Sequence, residues 1–579
     1  MTITKFIDDA DTAVDTAIKA LCMSKPQLQV IENTHVVVNS QLDPKKVLVV
    51  CGGGAGHEPS HVGYVADGWL SAAVSGGVFA SPPSAHVRAA IDYLYEKQGP
   101  NGPGILIVVK NYFGDILNFE FAVQEARGRG ISVAMALSAD DACFGIDDIT
   151  KRRGIAGTVL LNKLLCTAAQ RGESLSALQE LAGRISAGMR SIGASLSSCA
   201  LPGAGPTSTV PVGSVEVGLG IHGEQGLYQQ PFKGAKELVT HLLDILLGFG
   251  DDKGSWKGAE VALVVNNLGS TTDIEMGILA HHALLYLSEA GVNVVGVSVG
   301  RYMTALEMHG FSLTVLRFSN HDDIMFLFGE SQSSLMPFNI PKLTVTYVPG
   351  PPTALQIAQK EAKHTPHSGG LMSQVTEVIF HSLKESEDYL NSLDAAVGDG
   401  DLGSGIKRAA IKVIELLPYL PWETDINKTF LLLAQAVADA CGGTSGPLCG
   451  AFLLGVRTAA CEAMEQGEVH AVELIRKGLI GGSAGVQSLG RAKKGDRTMV
   501  DVLEEINTSP AVIAAVYLQD LALACVEAAK KGAAATAMLP AKYGRSRYMQ
   551  GKEIGRQDPG AELVVQWVES AAKFLLSKK

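Results

Sequence analysis

The sequence predicts a two-lobed α/β half followed by an all-helical half, and three observations predict this order. Short β-branched runs alternate with helical patterns up to about residue 348. A stretch with three prolines near its start follows, and beyond it the β-branched runs give way to long Ala/Leu patterns. A chain of 579 residues is also too long for a single hydrophobic core, so we expect separate domains.

Apolar runs that each end in a glycine-containing loop define the first half. They lie at 47–56, 105–115, 215–223, 261–270 and 292–300. Such runs are typical of strands buried on both faces. The helical patterns between them lie at 84–98, 173–192 and 234–249. We therefore predict an α/β domain over 1–348, and the polar, proline-containing segment 197–213 divides it into lobes at about 1–196 and 197–348.

The composition of 349–371, with prolines near its start and a His/Ser/Gly end, indicates an exposed linker with room for one helical turn. Beyond it the helical patterns lie at 372–394, 427–443 and 516–539. The sequence therefore predicts a separate all-helical domain over 372–579.

Charge and composition exclude several classes of protein. A formal charge of −11 without a Lys/Arg block argues against nucleic-acid and anionic-membrane partners. The nine cysteines form no C-x-x-C pair and are expected to be reduced core residues. The N-terminus is polar and acidic, unlike a signal or transit peptide, and no apolar run approaches the roughly 18 residues of a membrane span. We expect a cytoplasmic protein.

The stretch "VGLGIHGEQG" at 217–226 contains the spacing G-x-G-x-x-G of a dinucleotide site. That site needs a helix starting at the third glycine, Gly223, so that its amides face a pyrophosphate. Here Pro231 and further glycines interrupt the first turns that such a helix would need. An NAD-dependent oxidoreductase is therefore disfavoured, and His222 becomes the residue of interest.

A second glycine loop, "CGGGAGHEPS" at 51–60, also follows a predicted strand and lacks the Lys-Ser/Thr of a P-loop. Its backbone amides could close around a small polar ligand. His57 in this loop, Lys110 and Asp115 after the next strand, and His222 on a third loop together predict a pocket. Taken singly, His57 could be a turn histidine and Asp115 a helix cap.

In "LDAAVGDGDLGSG" three carboxylates, Asp394, Asp399 and Asp401, fall within eight residues. An EF-hand loop starting at Asp399 would need a glutamate where Ala410 stands, so a calcium cage is excluded. The cluster suits Mg²⁺ shared with phosphates, although a solvated capping loop remains the alternative. Two other polar loops, "GGTSG" at 442–446 and "KKGDRTM" at 493–499, add hydroxyl groups and a cation.

Six motifs in order, "GGGAGHEP", "VKNYFGDILNF", "GLGIHGE", "GDGDLGSG", "GGTSG" and "GDRTM", resemble the single-chain, ATP-dependent dihydroxyacetone kinases. They span nearly the whole chain, and its length and two-part layout best fit the animal form of that family. The resemblance implies a kinase for dihydroxyacetone and glyceraldehyde that binds the triose on the α/β half and ATP on the helical half. It also implies a homodimer.

On the triose side, the resemblance assigns His222 to covalent capture, in which a ring nitrogen adds to the ketone carbon and forms a hemiaminal. It implies acid/base roles for His57 and Asp115. The implied substrate contacts are Gly54, Ala55, Gly56, His57, Lys110 and Asp115.

On the nucleotide side, the resemblance implies two Mg²⁺ ions held by Asp394, Asp399 and Asp401. Arg497 is expected to stabilise charge on the γ-phosphoryl group. The implied nucleotide contacts are Asp401, Leu402, Gly403, Ser404, Thr444, Ser445, Gly490, Thr498, Met499, Asp558, Pro559 and Gly560.

The resemblance further implies that FAD is split into AMP and a riboflavin cyclic phosphate, with Mn²⁺ or Co²⁺ favoured as the metal. Three positions depart from the family pattern: Ala55 replaces a serine, and Pro447 and Cys449 alter the segment after "GGTSG". Two alternatives remain, a substrate protein phosphorylated by a carrier and a non-catalytic triose-binding regulator. The intact aspartate cluster and "GDRTM" loop argue against the first alternative, and the intact site residues argue against the second.

Overall fold

The computed structural model divides the chain into two compact units, residues 1–346 and 347–579. The structure describes residues 5–143, 145, 152–248, 256–328, 335–345, 348, 350–362, 370–398, 400–441, 443–467, 470–548 and 553–578. The first unit is α/β with two sheets, and in its described residues the second unit is helical. This architecture confirms the predicted fold class.

The first sheet has six strands in the order β1-β2-β4-β3-β5-β6. Its strands are β1 (Leu28–Val30), β2 (Val36–Asn39), β3 (Leu48–Ala55), β4 (Ala72–Val78), β5 (Ile105–Lys110) and β6 (Val133–Ser138). Strands β4, β3, β5 and β6 run parallel, whereas β1 and β2 pair antiparallel at one edge. Every residue of β3 and β5 is buried, as expected for parallel strands covered on both faces.

Five helices accompany this sheet: α1 (Ala13–Ser24), α2 (Ser84–Gln98), α3 (Phe113–Gly128), α4 (Gly157–Gln170) and α5 (Leu175–Gly188). The helix α2 has the bounds that the sequence pattern predicts. Helix α4 is buried along nearly its whole length. Its apolar side chains belong to a core that also contains residues of both sheets, such as Val49 and Val264. The two sheets of this unit therefore share one hydrophobic core.

The second sheet has the order β11-β10-β12-β7-β8-β9, and its only parallel pair among the described strands is β10 with β11. Its strands are β7 (Met189–Ser195), β8 (Ser214–Val217), β9 (Tyr228–Pro231), β10 (Glu260–Asn267), β11 (Asn293–Gly300) and β12 (Gly310–Arg317). Helices α6 (Ala235–Gly248) and α7 (Asp273–Glu289) pack on it.

Strand β7 begins where the sequence pattern predicts a helix, since the helical pattern of 173–192 extends to residue 192. Helix α5 instead ends at Gly188, where a Cβ would lie 2.2 Å from the Arg317 carbonyl oxygen. The following residues pair antiparallel with β12, with Ile192 opposite Leu313. Strand β7 thus precedes the expected lobe boundary near residue 196, yet it belongs to the second sheet.

The helical unit contains eleven helices in its described residues. They are α8 (Ala354–Glu361), α9 (Leu371–Glu385), α10 (Glu387–Ala395), α11 (Leu402–Leu416), α12 (Ile426–Ala440), α13 (Ser445–Glu465), α14 (Ala471–Gly490), α15 (Met499–Thr508), α16 (Pro510–Ala514), α17 (Leu518–Thr536) and α18 (Pro559–Ser577). They share one core, and none in the described part of the chain is both long and apolar enough to cross a membrane.

Helix α8 lies inside the segment expected to be an exposed linker. Thr353 and Gln356 form a capping box at its start, and Ala354 and Ala358 are buried in the core of the helical unit. At least this part of the segment is therefore packed structure rather than a free tether.

Candidate active site

The first glycine loop occupies the end of β3, where glycine is required by close packing. Gly56 has a φ of +95°, and a Cβ there would lie 2.8 Å from the Phe79 ring. Its amide donates to the carboxylate of Glu58 at 3.1 Å, so it is already satisfied. Ala55 is buried as the last residue of β3. Of the expected cradle amides, that of Gly56 is thus committed to the loop itself.

His57 is fully buried and fixed by a segment that follows β11. Its Nδ1 lies 2.8 Å from the Thr304 carbonyl oxygen, which can only accept, so Nδ1 carries the proton. Burial, followed by the charge on Lys110, holds the pKa of His57 well below its ordinary value. Its Nε2 is consequently a hydrogen-bond acceptor, and it has no partner within the described structure. His57 therefore offers a lone pair to a ligand.

His222 lies against three aromatic rings in the same pocket. Ring centroids are 4.9 Å from His57, 5.3 Å from Phe79 and 4.6 Å from Tyr112, all edge-on. The side chain is 22% exposed, and burial lowers the pKa of His222 to about 4. Its imidazole is therefore neutral at physiological pH and keeps the lone pair that a nucleophile needs.

Glu224 anchors the loop that carries His222. One carboxylate oxygen accepts the His222 amide at 2.7 Å, and the other lies 3.9 Å from His222 Nδ1 and 3.5 Å from the Arg153 guanidinium. A Cβ on Gly220 would lie 1.8 Å from the same carboxylate, so glycine is needed for this approach. Arg153 also pairs with Asp141 at 2.6 Å. The second glycine of "GLGIHGE" thus makes room for the Glu224 carboxylate, and this loop forms a clamp rather than a cofactor loop.

Lys110 and Asp115 form a buried ion pair beside the two histidines. Lys110 Nζ lies 3.6 Å from Asp115 Oδ2 and 3.0 Å from His61 Nε2. His61 in turn contacts the Cys51 thiol through Nδ1 at 3.3 Å. Asp115 lies in the first turn of α3, and its Oδ1 has no hydrogen-bond partner among the described residues. A second buried acceptor is therefore available next to the neutral His222.

The triose-side residues predicted from the sequence thus come together, whereas their supports lie far away along the chain. Phe79 stacks on His57 at 5.0 Å, and Thr304 orients it across 247 residues. No periodic pattern indicates such contacts. Tyr112 and Glu224 belong to the motifs "VKNYFGDILNF" and "GLGIHGE", and the acidic residue two positions after His222 was the available signal for Glu224.

In the helical unit, the starts of four helices meet at one end. A Cβ on Gly560 at the start of α18 would lie 3.9 Å from the Met499 amide at the start of α15. Gly405, in the first turn of α11, would place a Cβ 2.9 Å from the thiol of Cys441, which precedes α13. Helix N-termini carry partial positive charge and unpaired amides, so this end suits a polyanion.

The other predicted nucleotide contacts lie at the same end. The Arg556 guanidinium donates to the Ala396 carbonyl at 2.5 Å, which joins the segment before α18 to the aspartate loop. Gly490 at the end of α14 packs on Leu448 in the first turns of α13. Leu402, Gly403 and Ser404 begin α11, Thr444 and Ser445 begin α13, Thr498 and Met499 begin α15, and Asp558, Pro559 and Gly560 begin α18.

Two of the three predicted metal ligands are described. Asp394 Oδ2 accepts the amides of Asp401 and Leu402 at 3.0 and 3.3 Å, and the Asp401 side chain is exposed at the helix start. Asp399 lies outside the described residues. Within those residues no group of three His, Cys, Asp or Glu could hold a metal. The donors present are carboxylate oxygens, the type that fits Mg²⁺ bound together with phosphates.

Arg497 is buried, with 1% exposure, and is not a free surface cation. Its Nη2 donates to the Arg556 carbonyl at 3.1 Å, while Nε and Nη1 have no partner in the described part of the chain. Asp558 lies close enough for the Arg497 charge to favour its ionised form, but burial outweighs this and raises the pKa of Asp558 to about 6. Unpaired guanidinium donors at the polyanion end are suited to phosphate oxygens.

The two residues after "GGTSG" that depart from the family pattern, Pro447 and Cys449, both fit helix α13. Pro447 lies in the first turn of α13, where no backbone donor is required. Cys449 is buried in the core and lines an apolar cavity of about 240 Å³ inside the helical unit. The helix therefore still begins at Ser445.

Comparisons with known proteins identify the family. Residues 19–334 match the Dak1 domain and residues 396–573 the DAK2 domain. The chain is 34% identical over 578 residues to the triokinase/FMN cyclase of Mus musculus, with 97% of each chain covered. The chain belongs to the dihydroxyacetone kinase family.

Other members of the family give similar matches. The triokinase/FMN cyclase of Homo sapiens is 34% identical with 97% of both chains covered. The dihydroxyacetone kinase of Citrobacter freundii is 33% identical over 93% of this chain and 92% of its own. A crystal structure of the C. freundii enzyme with AMP-PNP and Mg²⁺ matches 99% of this chain at a TM-score of 0.63 and 31% identity.

Proposed function

We propose that this protein phosphorylates dihydroxyacetone and glyceraldehyde with ATP, holding the triose on His222. One observation carries the proposal: a neutral imidazole shares its pocket with two buried acceptors that are unpaired in the described structure, His57 Nε2 and Asp115 Oδ1. Dihydroxyacetone has one ketone carbon between two hydroxyl groups, so it complements this arrangement.

Capture of the triose is an addition to its carbonyl group. Because His222 Nδ1 faces Glu224, the lone pair on Nε2 adds to the ketone carbon and the carbonyl π electrons move to oxygen. The Nδ1 proton leaves past Glu224 and is balanced by a proton taken up from solvent at the alkoxide oxygen, so the adduct is neutral and the net charge is unchanged. Glycerol has no carbonyl group and is excluded from this bond.

His57 is suited to activate the hydroxyl that receives the phosphoryl group. Its Nε2 lone pair can accept the hydroxyl proton, while Thr304 keeps the ring in the required tautomer. Asp115 can accept from the other hydroxyl, and Lys110 offsets the carboxylate charge.

On the helical side, we propose that ATP occupies the end where four helices start. Asp394, Asp399 and Asp401 would hold two Mg²⁺ ions, which supply charge neutralisation to the phosphates when bound. The buried Arg497 would direct its free donors to the γ-phosphoryl group. The family enzyme crystallised with AMP-PNP and Mg²⁺ supports this assignment.

The direct test is to incubate the full chain with ATP, Mg²⁺ and dihydroxyacetone and to measure ADP. We expect triose-dependent ADP formation, and its loss in His222→Ala with ATP binding nearly unchanged. His281→Ala changes an exposed histidine on α7 and serves as the matched control. Normal turnover in His222→Ala would refute the assigned role.

A second activity, splitting FAD into AMP and a riboflavin cyclic phosphate with Mn²⁺ or Co²⁺, is favoured by the relatives named triokinase/FMN cyclase. An internal ribityl hydroxyl would replace the triose hydroxyl as nucleophile. Asp401→Asn should lose both activities, because both need the metal. FAD cleavage that survives in Asp401→Asn would separate the two sites.

A structural relative named as an operon co-activator bears on the non-catalytic alternative. The dihydroxyacetone kinase operon co-activator DhaQ matches at a TM-score of 0.51 and 31% identity, but over only 54% of this chain. The DAK2 match over 396–573 supports an enzyme that uses ATP itself. A cytosolic homodimer remains our proposal for location and assembly.

A further inference from the structure

The α/β unit contains a second cavity, of about 130 Å³, that is separate from the triose pocket. It lies between the second sheet and the helices α6 and α7. Apolar side chains form most of its wall, and it opens beside Phe232 and Ile278, which are 38% and 44% exposed. The buried wall includes Ala194, Val215, Leu238, Leu279 and Phe311.

One polar group in this wall lacks a partner. Ser195, the last residue of β7, is 2% exposed, and its Oγ makes no hydrogen bond within the described residues. Buried hydroxyl groups in native structures are nearly always paired, so an unpaired one at a cavity indicates a missing partner. The cavity thus combines an apolar body with one hydrogen-bonding position.

The mouth of the cavity carries one carboxylate, which contacts a histidine. Glu275 and His309 both line it, with Glu275 Oε1 3.0 Å from His309 Nε2. The Thr272 hydroxyl donates to Glu275 and holds the pKa of this carboxyl below its usual range. A ligand with a carboxylate or phosphate would meet this negative charge, whereas a neutral one would not.

We propose that this cavity is a binding site for a small neutral molecule with an apolar body and one hydroxyl group, of the size of phenol. An apolar cavity of roughly 150 Å³ holds benzene in another protein, and this open cavity of about 130 Å³ is of similar size. The Ser195 hydroxyl pairs with the ligand hydroxyl, and the apolar wall covers its body.

The cavity is connected to the triose pocket by two short stretches of chain. On one side its wall at His309 continues into residues 304–306, where Thr304 accepts from His57 and the Leu306 amide donates to the Gly56 carbonyl at 2.9 Å. On the other side, Leu196 leads to Cys199.

A small buried cluster joins these two stretches. It consists of Cys199, Leu219, Leu268, Ala305 and Met308, with Phe79 and Leu306 packed against it. Phe79 stacks on His57, and Leu219 precedes His222 by three residues. Ligand binding is therefore expected to change the affinity for the triose, a linkage that rests on the proposed function.

Binding itself is tested on the full chain by ligand-observed NMR titration with phenol, benzene and benzoate. We expect saturable binding of phenol, weaker binding of benzene and none of benzoate. Ser195→Ala should lower the affinity for phenol about tenfold, because one hydrogen bond is lost, and should leave the affinity for benzene unchanged. Ile278→Trp should block the mouth, and Ile274→Trp, at a 75% exposed position on α7 outside the cavity wall, should bind as the wild type does.

An absence of saturable phenol binding, or equal binding by Ile278→Trp and wild type, would overturn the site.

For the linkage, dihydroxyacetone binding is titrated with and without saturating phenol. We expect a change of about fivefold or more in wild type and none in Ile278→Trp. An unchanged triose affinity in phenol-saturated wild type would overturn the linkage. Failure to bind dihydroxyacetone at all would count against the proposed function, and the phenol result would stand.

Discussion

At the residue scale, the reactivity of His222 follows from its burial. A histidine pKa lowered to about 4 lies below the ordinary value of about 6.5, so the neutral imidazole persists as the pH falls through 6 and 5. Triose capture should be constant from about pH 8 to 5 and be lost as the pH falls through about 4. Titrations with dihydroxyacetone at each pH across this range measure the capture. A midpoint near 6.5 would contradict the account.

A second residue-scale prediction concerns Glu224. Glu224→Gln keeps the shape but removes the charge that pairs with Arg153 and supports His222. We expect triose affinity to fall roughly tenfold, since a charge-assisted contact is lost, with little change in thermal stability. Glu237→Gln, at an exposed position on α6, is the matched control. Wild-type affinity in Glu224→Gln would show that the clamp is dispensable.

At the element scale, the packing of α10 on α11 holds the aspartate loop. A Cβ on Gly403 would lie 2.1 Å from the Glu387 carbonyl oxygen, a backbone atom that cannot move without the helix. Gly403→Ala should therefore push α10, which carries Asp394, away from α11. We expect a loss of about 1–3 kcal/mol in the free energy of unfolding of the helical unit, and weaker ADP binding.

Denaturant unfolding and calorimetric titration with ADP measure these effects. Gly478→Ala is the matched control, because its nearest neighbour beyond α14 lies at 3.4 Å, an ordinary contact, and alanine favours a helix over glycine. If Gly403→Ala unfolds and binds ADP like Gly478→Ala, the assigned packing role is wrong.

The elements also show what the sequence can predict. Helix α2 was predicted to the residue, because its apolar period and proline boundary are local signals. Helix α5 was predicted four residues too long, since Met189 to Ile192 fit either a helix or a strand, and only pairing with β12 decides between them. Likewise, the glycines around His222 mark it in the sequence as a candidate site residue. The tautomer of His57 could not be predicted, because it depends on a contact with Thr304, far along the chain.

At the scale of the whole molecule, each of the two units has its own hydrophobic core. The described residues of each core come from that unit alone. We therefore expect the fragment 1–346 to fold and to bind dihydroxyacetone without ATP, while forming no ADP. Calorimetry and the ADP assay measure this, with the His222→Ala fragment as control. A folded fragment that cannot bind the triose would contradict the assignment of the triose site to this unit.

The covalent bond on His222 is the central claim. It is tested most directly by NMR of the full chain, labelled with [¹⁵N]histidine and mixed with [2-¹³C]dihydroxyacetone. The account predicts a protein-bound tetrahedral carbon with one-bond coupling to ¹⁵N, absent from His222→Ala. A bound triose whose carbon shows no such coupling, or the same coupled signal in His222→Ala, would contradict it.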